Sequence, residues 1–228
     1  MADNPLLPQN RLRELHALID RIRQMDRRKH TNAREALLGA TLIHLSKGDL
    51  VSGRAEDATL RAFAPESSAG DEAHQLPANL RLPLCAGAAR GMQTAGTYRL
   101  AVAFAEAATP EPLWVDALRW AHRDRLPMLL IVADDGAARS HRGAAGAATP
   151  LTWPELTKLS RSLQLPHFPV DGEDAVAVFR VMQETSARAR SGGGPSVLWA
   201  MLSSERPTGR QQPLRRLEAY MAGRGIEV

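Results

Sequence analysis

The second half of the chain alternates strand-sized apolar runs with helix-sized segments, and this alternation limits the possible folds more than any other feature. The predicted elements are, in order, a helix over 82–93, a strand over 99–105, a helix over 113–123, strands over 128–133 and 167–170 with a helix over 154–163 between them, a helix over 173–190, and a strand over 196–202. Near-continuous apolar strands separated by helices are typical of a parallel sheet covered on both faces. We therefore predict an α/β fold of this kind, with ligands expected at the carboxyl ends of its strands.

Two predicted helices precede this region. Apolar residues recur at helical spacing over 10–29 and over 33–46, and Gly48 is the predicted stop signal of the second helix. Polar residues, glycine and proline then dominate, which predicts a loop. The predicted organisation is a single domain over 1–228, with N-terminal helices over 10–64, a mobile loop over 65–79, an α/β core over 80–203 and a basic tail with a helix over 204–228.

Composition and cysteine content indicate the compartment. The hydrophobic fraction of 44% and the charged fraction of 24% are ordinary for globular proteins. The longest apolar run, 127–133, is too short to span a bilayer, and 1–9 show no targeting pattern. A lone cysteine, Cys85, cannot form an internal disulfide. We expect a cytoplasmic protein without a membrane role, in which Cys85 is a core thiol rather than a nucleophile.

Arginine is concentrated at both ends of the chain, although the formal net charge is only +4. The basic residues in question are Arg11, Arg13, Arg21, Arg23, Arg27, Arg28 and Lys29 near the start, and Arg206, Arg210, Arg215, Arg216 and Arg224 near the end. They form either a surface for nucleic acid or an acidic partner, or ordinary solvated helix faces. The second interpretation is favoured, because the sequence has no nucleic-acid motif and few aromatic residues for stacking bases.

Several segments resemble, in the same order, those of the alpha subunits of pyruvate-dehydrogenase-type 2-oxo acid dehydrogenases. In that family one strand ends in Gly-Asp-Gly, similar to 100–107 here, and the next begins with Leu-Pro and ends in Asn-Asn, similar to 126–135. The other matching segments are 34–36, 47–49, 82–89, 170–179 and 188–196. The resemblance covers about 12–200, and it implies a thiamine-diphosphate-binding fold with a parallel sheet and helices on both faces.

The resemblance also implies a set of site residues. In the family a Mg²⁺ ion bridges the diphosphate of the cofactor, and its ligands correspond to Glu106, Asp135 and the backbone carbonyl of Ala137. An arginine that contacts the diphosphate corresponds to Glu56, or to Arg54 if two residues are missing from the loop. The resemblance gives no catalytic residue in this chain, because a beta-like partner supplies the glutamate that activates the cofactor.

Differences from the family motif predict weakened cofactor binding. Ala105 and Ala107 stand where glycines let backbone N–H groups approach a phosphate, and Glu106 is longer than the aspartate of the motif. Asp134 and Asp135 add negative charge, and repulsion at ~4 Å is worth about 4 kcal/mol at an effective dielectric constant near 20. In the family a histidine-bearing loop follows the last strand, whereas this chain has Ser-Ser-Glu-Arg-Pro over 203–207.

Simpler interpretations exist for the same residues. Glu106, Asp134 and Asp135 are also typical of solvated strand ends that cap helices through their carboxylates. His122 and His141 titrate near neutrality and qualify as acid/base groups, but their predicted positions favour ordinary surface residues.

Three functions follow from these observations. The first is an alpha-subunit-like homologue that is impaired in thiamine diphosphate binding and acts as a structural or regulatory protein, in a homodimer or with a beta-subunit-like protein. The second is an active thiamine-diphosphate-dependent 2-oxo acid dehydrogenase subunit that uses Mg²⁺ and decarboxylates a 2-oxo acid together with a beta-like partner. The third is nucleic-acid binding through the basic ends.

Overall fold

Five parallel strands form one sheet in the computed structural model, which describes residues 7–26, 34–53, 58–65, 78–107, 111–136, 152–205 and 207–227. The strands are β1 (Leu50–Ser52), β2 (Ala101–Glu106), β3 (Met128–Asp134), β4 (His167–Asp171) and β5 (Ser196–Met201). Their order is β1-β2-β3-β5-β4, and every neighbouring pair is parallel. The predicted parallel α/β sheet is confirmed.

Helices cover both faces of this sheet. Those of the described residues are α1 (Gln9–Asp26), α2 (Glu35–Leu42), α3 (Ala58–Phe63), α4 (Ala78–Thr94), α5 (Glu111–Arg123), α6 (Trp153–Ser162), α7 (Ala175–Arg190) and α8 (Pro213–Ala222). Helices α1, α2, α7 and α8 enclose one apolar core, and α4, α5 and α6 enclose a second on the opposite face. In the part of the chain that is described, no helix is long and apolar enough to cross a membrane.

Strand alternation divides the sheet residues between the two cores. On β2, Val102 and Phe104 face the first core, whereas Ala101 and Ala103 face the second. Small side chains on this second face allow α4 to pack closely, and Ala86 and Ala89 of α4 are fully buried there. At one border of the sheet, β1 has only three residues. At the other border, β4 carries the exposed Pro169.

Several element boundaries differ from the sequence predictions. Strand β1 and helix α3 were not predicted, because three and six residues are too few to show a clear apolar period. Helix α2 ends at Leu42, so the prediction that Gly48 stops it was wrong. Gly48 has a φ of +92° and instead allows the tight turn before β1. Of the predicted loop, residues 66–77 lie outside the described residues, and α4 begins at Ala78.

A buried ion pair between Asp49 and Arg190 connects the amino ends of β1 and β2 to the end of α7. Asp49 is fully buried, and Arg190 donates to its two carboxylate oxygens at 3.0 and 2.6 Å. The same carboxylate accepts from the backbone N–H groups of Leu100 and Ser46, each at 2.8 Å. Arg190 also donates to the carbonyls of Tyr98 at 2.7 Å and His44 at 3.2 Å. Three chain segments, 44–49, 98–100 and the end of α7, therefore meet at one pair of charges.

Replacing Asp49 should destabilise the protein strongly. Asp49→Ala leaves the Arg190 guanidinium without its counter-ion and is expected to lower the free energy of unfolding by about 3–5 kcal/mol. Asp49→Asn keeps an acceptor oxygen, so its free energy of unfolding should lie between that of Asp49→Ala and that of the unmodified protein. Urea unfolding followed by circular dichroism measures both.

The exposed pair Arg119–Asp116, whose atoms lie 3.7 Å apart, provides the control. Arg119→Ala should change the free energy of unfolding by less than about 1 kcal/mol. Equal effects of Asp49→Ala and Arg119→Ala would show that the buried pair does not hold these segments together.

His44 lies beside this ion pair in a neutral state. Its ring packs against the Phe179 ring at a tilt of 54° with the ring centroids 4.3 Å apart, and its buried Nε2 atom has no hydrogen-bond partner among the described residues. Burial and the charges of Arg11 and Arg190 lower the pKa of His44 to about 4, against a smaller opposing effect of a hydrogen bond to the backbone of Phe179. The folded protein therefore resists protonation of this ring.

Stability should fall between pH 6.5 and pH 4 because of His44. Between these pH values His44 is protonated in the unfolded chain but neutral in the folded protein. The contribution of neutral His44 to the free energy of unfolding is therefore present above pH 6.5 and is lost as the pH falls to about 4. The expected loss is on the order of 2–3 kcal/mol. Urea midpoints at pH 7 and pH 4.5 should differ less in His44→Gln than in the unmodified protein. His122→Gln serves as the control and should leave the difference unchanged.

Candidate functional site

The carboxyl ends of β2 and β3 bring Glu106 and Asp135 to one edge of the sheet. Glu106 is paired with Ala133 across the two strands, and Asp135 lies two residues further along. Alternation places Glu106 on the same face as Phe104, and the alternation of β3 assigns Asp135 to that face as well. Both residues are half-buried. Two carboxylates on adjacent strand ends provide hard oxygen donors of the kind that Mg²⁺ prefers.

Asp134 belongs to the opposite face and is bound within the protein. Its Oδ2 accepts from the indole Nε1 of Trp199 at 3.1 Å, and its Oδ1 accepts from the backbone N–H of Gly136 at 2.9 Å. The interpretation of Asp134 as a solvated residue was therefore wrong. Its carboxylate closes the turn after β3 and accepts the indole N–H of Trp199, which is buried at only 2% exposure and needs an acceptor.

Ala105 and Ala107 direct their methyl groups into the second core. Ala107 is 5% exposed, and Ala105 packs against the same cluster. The Ala107 N–H donates to the carbonyl of Ala133 at 3.3 Å, which continues the sheet ladder beyond Glu106. Because that donor already has an acceptor, it is not directed at a ligand. The methyl groups of these alanines point into the core and do not block an anion at the edge. The alanines affect anion binding only through the backbone conformation that they allow.

A second set of contacts at this edge was not predicted from the sequence. Glu173 is 7% exposed and accepts from the backbone N–H of Ser203 at 2.9 Å. Arg216 of α8 donates to Asp171 at 2.8 Å and to Asp174 at 3.3 Å. Ser203 and helix α8 are thereby joined to the end of β4. Periodicity gives no signal for such contacts, which join residues 30 to 45 positions apart.

Gly172 follows β4, at a position where the ends of β4 and β5 leave no room for a side chain. A Cβ atom at this position would lie 2.8 Å from Cδ2 of Leu202 and 3.0 Å from the carbonyl oxygen of Met201. The Gly172 N–H donates to that same carbonyl at 2.8 Å. The glycine therefore allows the chain leaving β4 to pass directly against the end of β5.

Arg81 is a buried cation that the sequence pattern also missed. It lies near the start of α4 and is 9% exposed. A short loop joins α4 to the amino end of β2, so the first turn of this helix lies at the carboxyl edge. The predicted helix began at Leu82, and apolar spacing alone does not distinguish a buried arginine from a solvated one.

Other predicted residues lie elsewhere. Arg54, Glu56, Ala137 and His141 are outside the described residues. His122 lies in the last turn of α5, which runs back from β2 to the amino end of β3, so it lies at the opposite edge from Glu106. Within the described part of the chain, no group of three or more His, Cys, Asp or Glu side chains is arranged to hold a metal ion.

Cys85 is a core thiol, as predicted. It is fully buried on α4, and burial raises the pKa of its thiol to about 12, against a smaller opposing effect of a hydrogen bond with Ser52 of β1. Thiolate is the nucleophilic form of cysteine, and very little of it exists at neutral pH when the pKa is this high.

Cys85 should not react with Ellman's reagent in the native protein at pH 8. In urea, where the thiol recovers its ordinary pKa and becomes accessible, one equivalent should react rapidly. Absorbance at the wavelength of the released thiolate measures the rate. Labelling of the folded protein within minutes would contradict the buried position of Cys85, provided that circular dichroism shows the fold to be intact.

Comparisons with known proteins agree on one family. The family model described as "Dehydrogenase E1 component" matches residues 71–202, which is more than half of the chain. The alpha subunit of acetoin:2,6-dichlorophenolindophenol oxidoreductase from Cupriavidus necator is 29% identical over 117 residues, or 51% of this chain. This match covers 34% of that relative, so the chain spans about a third of its length. The resemblance to alpha subunits is confirmed.

Solved structures agree on the fold. A thiamin diphosphate-dependent enzyme from Mycobacterium smegmatis, described as putative, superposes with a TM-score of 0.56 at 14% identity, over 76% of this chain and 32% of that one. Benzoylformate decarboxylase from Polynucleobacter necessarius superposes with a TM-score of 0.53 at 12% identity, over 75% of this chain and 33% of that one. These likenesses confirm the predicted thiamine-diphosphate-binding fold.

Proposed function

The chain belongs to the dehydrogenase E1 component family, and we propose that within it this protein is an alpha-subunit-like member impaired in thiamine diphosphate binding. It would then act as a structural or regulatory protein rather than as a decarboxylating subunit. The chain covers about a third of its alpha-subunit relative, so the activity of that whole protein is not carried over.

One observation carries this proposal: backbone donors at the ends of β2 and β3 are already used inside the protein. The Ala107 N–H donates to Ala133, and the Gly136 N–H donates to Asp134. A diphosphate needs such N–H groups directed at its oxygens. Instead, the described side chains at these two strand ends include three carboxylates, those of Glu106, Asp134 and Asp135. The residues present fit a cation better than they fit a diphosphate.

A partner subunit is part of the proposal. The relative from Cupriavidus necator is named as an alpha subunit, and a homodimer or a complex with a beta-subunit-like protein is the corresponding assembly here. A cytoplasmic location fits a chain whose single cysteine, Cys85, has no second cysteine to pair with.

The alternative is an active subunit that uses thiamine diphosphate and Mg²⁺ with a beta-like partner. Glu106 and Asp135 favour it, because their carboxylates keep oxygen donors at adjacent strand ends. The carbonyl of Ala137 would be the third ligand, and Arg54 would contact the diphosphate.

Nucleic-acid binding through the basic ends is less well supported. Six of the arginines there have contacts inside the protein: Arg11 with Glu14, Arg13 with the carbonyl of Glu227, Arg21 with the Phe63 ring, Arg215 with Glu218, Arg216 with Asp171, and Arg224 with the Tyr220 ring. Such exposed ion pairs contribute little to stability. They nevertheless reduce the positive charge that these arginines could offer to a phosphate backbone. These contacts favour the interpretation of the basic ends as packed helix faces.

Calorimetric titration with thiamine diphosphate and Mg²⁺ tests the proposal. The protein should show no binding in the micromolar range, either alone or mixed with any beta-subunit-like protein that is encoded beside it. The triple variant Glu106→Asp, Ala105→Gly and Ala107→Gly should bind at least about tenfold more tightly, because it restores the shorter ligand and the backbone freedom of the motif.

Glu184→Asp with Ala187→Gly and Ala222→Gly provides a control of the same composition on exposed helix positions. It should leave binding unchanged, and thermal unfolding should show both triple variants folded at the titration temperature. Micromolar binding by the unmodified protein would overturn the proposed impairment. No gain in the first triple variant would show that these three residues are not its cause.

A further inference from the structure

The amino edge of the sheet, opposite the candidate site, carries a concentration of exposed basic side chains. This edge consists of the segments that enter the five strands, and all of them lie within the described residues. Seven exposed cations occupy these segments or the helix ends that lead into them: Lys47, Arg90, Arg99, Arg123, Arg125, Arg161 and Arg188. We call this surface the basic edge.

The described carboxylates in the segments that enter β1 and β3, Asp49 and Asp124, are paired with other arginines than Arg99, Arg125 and Arg188. Asp49 is buried beneath the surface by its pair with Arg190, and Asp124 pairs with Arg123 at 2.8 Å. Within the described residues, the ion pairs do not include Arg99, Arg125 or Arg188. The unbalanced guanidinium groups therefore produce a positive potential at this edge.

Contacts between neighbouring segments make the basic edge continuous. A Cβ atom at Gly48 would lie 2.6 Å from Nε of Arg99, so that guanidinium lies across the turn before β1. A Cβ at Gly194 would lie 3.3 Å from Cα of Arg125, and one at Gly193 would lie 2.6 Å from Cγ of Arg188. Arg99, Arg125 and Arg188 thus lead into β2, β3 and β5, which are adjacent in the sheet.

Tyr98 adds an exposed aromatic ring to the basic edge. It is 81% exposed, the highest value among the exposed large hydrophobic side chains of the described residues. Its backbone is held in place, because its carbonyl accepts from Arg190 at 2.7 Å. Its side chain makes no contribution to either core. A large ring that is exposed on a fixed backbone is a feature of binding surfaces, where tyrosine and arginine contribute much of the binding energy.

We propose that the basic edge binds an acidic segment of a partner protein, with Arg99 and Arg125 pairing with carboxylates and Tyr98 packing against the segment. Guanidinium groups bind carboxylates through two parallel hydrogen bonds, which gives such a contact direction as well as strength. The surface lies at the opposite end of the strands from Glu106 and Asp135, so the proposal is independent of cofactor binding.

The dimensions favour a short extended segment. Neighbouring strands lie about 4.8 Å apart, so the edge from β1 to β5 spans three intervals, or ~14 Å. An extended chain of about five residues covers this distance at ~3.3 Å per residue. Single-stranded nucleic acid is the less suitable ligand, because it needs a series of aromatic platforms for successive bases and the described edge exposes only Tyr98.

Fluorescence anisotropy with a labelled glutamate-rich peptide tests the proposal on the full chain. The unmodified protein should bind the peptide, with an affinity that falls as salt is raised. The double variant Arg99→Glu with Arg125→Glu should weaken binding at least about tenfold. Tyr98→Ala, which changes no charge, should weaken it severalfold.

Arg180→Glu with Arg210→Glu makes the same change in net charge at exposed positions away from the edge and should alter the affinity less than about twofold. Circular dichroism and thermal unfolding should show all variants folded. Equal loss in both double variants, or no binding of the peptide, would overturn the proposal. Tighter binding of a single-stranded oligonucleotide at the same salt concentration would also overturn it and identify a nucleic-acid surface instead.

Discussion

The pair of charges formed by Asp49 and Arg190 is the interaction on which the amino side of the sheet depends. Neither residue lies in a strand, yet together they fix the turn that leads from α2 into β1, the segment that enters β2 and the end of α7. Backbone N–H and carbonyl groups at strand entrances have no ladder partner, and burying them without one is unfavourable. The carboxylate and the guanidinium supply those partners together, which explains why two charges are tolerated at a buried position.

This arrangement gives the two edges of the sheet different properties. At the amino edge, short segments run directly from helix to strand, and those that enter β1 and β2 are fixed by Asp49 and Arg190. At the carboxyl edge, Asp134, Glu173 and Arg216 each join segments far apart in the sequence. Parallel α/β sheets bind their ligands at the carboxyl edge, where the loops vary most between relatives. Changes at Glu106 and its neighbours therefore alter chemistry without disturbing the ion pair that fixes the strands.

The architecture was predictable because its signals are local. Apolar runs such as 128–133 and the helical periods on either side of them indicate a parallel sheet without knowledge of any contact. The site was predictable only in part. Position at a strand end identifies Glu106 and Asp135, but the same reasoning treated Asp134 as solvated, since a hydrogen bond to Trp199 depends on the order of strands β3 and β5. Likewise, the segments around Asp49 and Arg190 both resemble the family, but the sequence does not indicate that the two residues pair. Their contact is seen only in the folded structure.

The borders of the sheet restrict how this protein associates with others. Pro169 has no N–H group to donate and lies in the border strand β4, while the other border strand, β1, offers only three residues. Neither border is therefore a good template for an added strand, which protects the molecule from edge-to-edge aggregation. Among the described residues, the two borders therefore disfavour β-sheet extension by a partner and favour docking on helix faces or on the loops at the two ends of the strands.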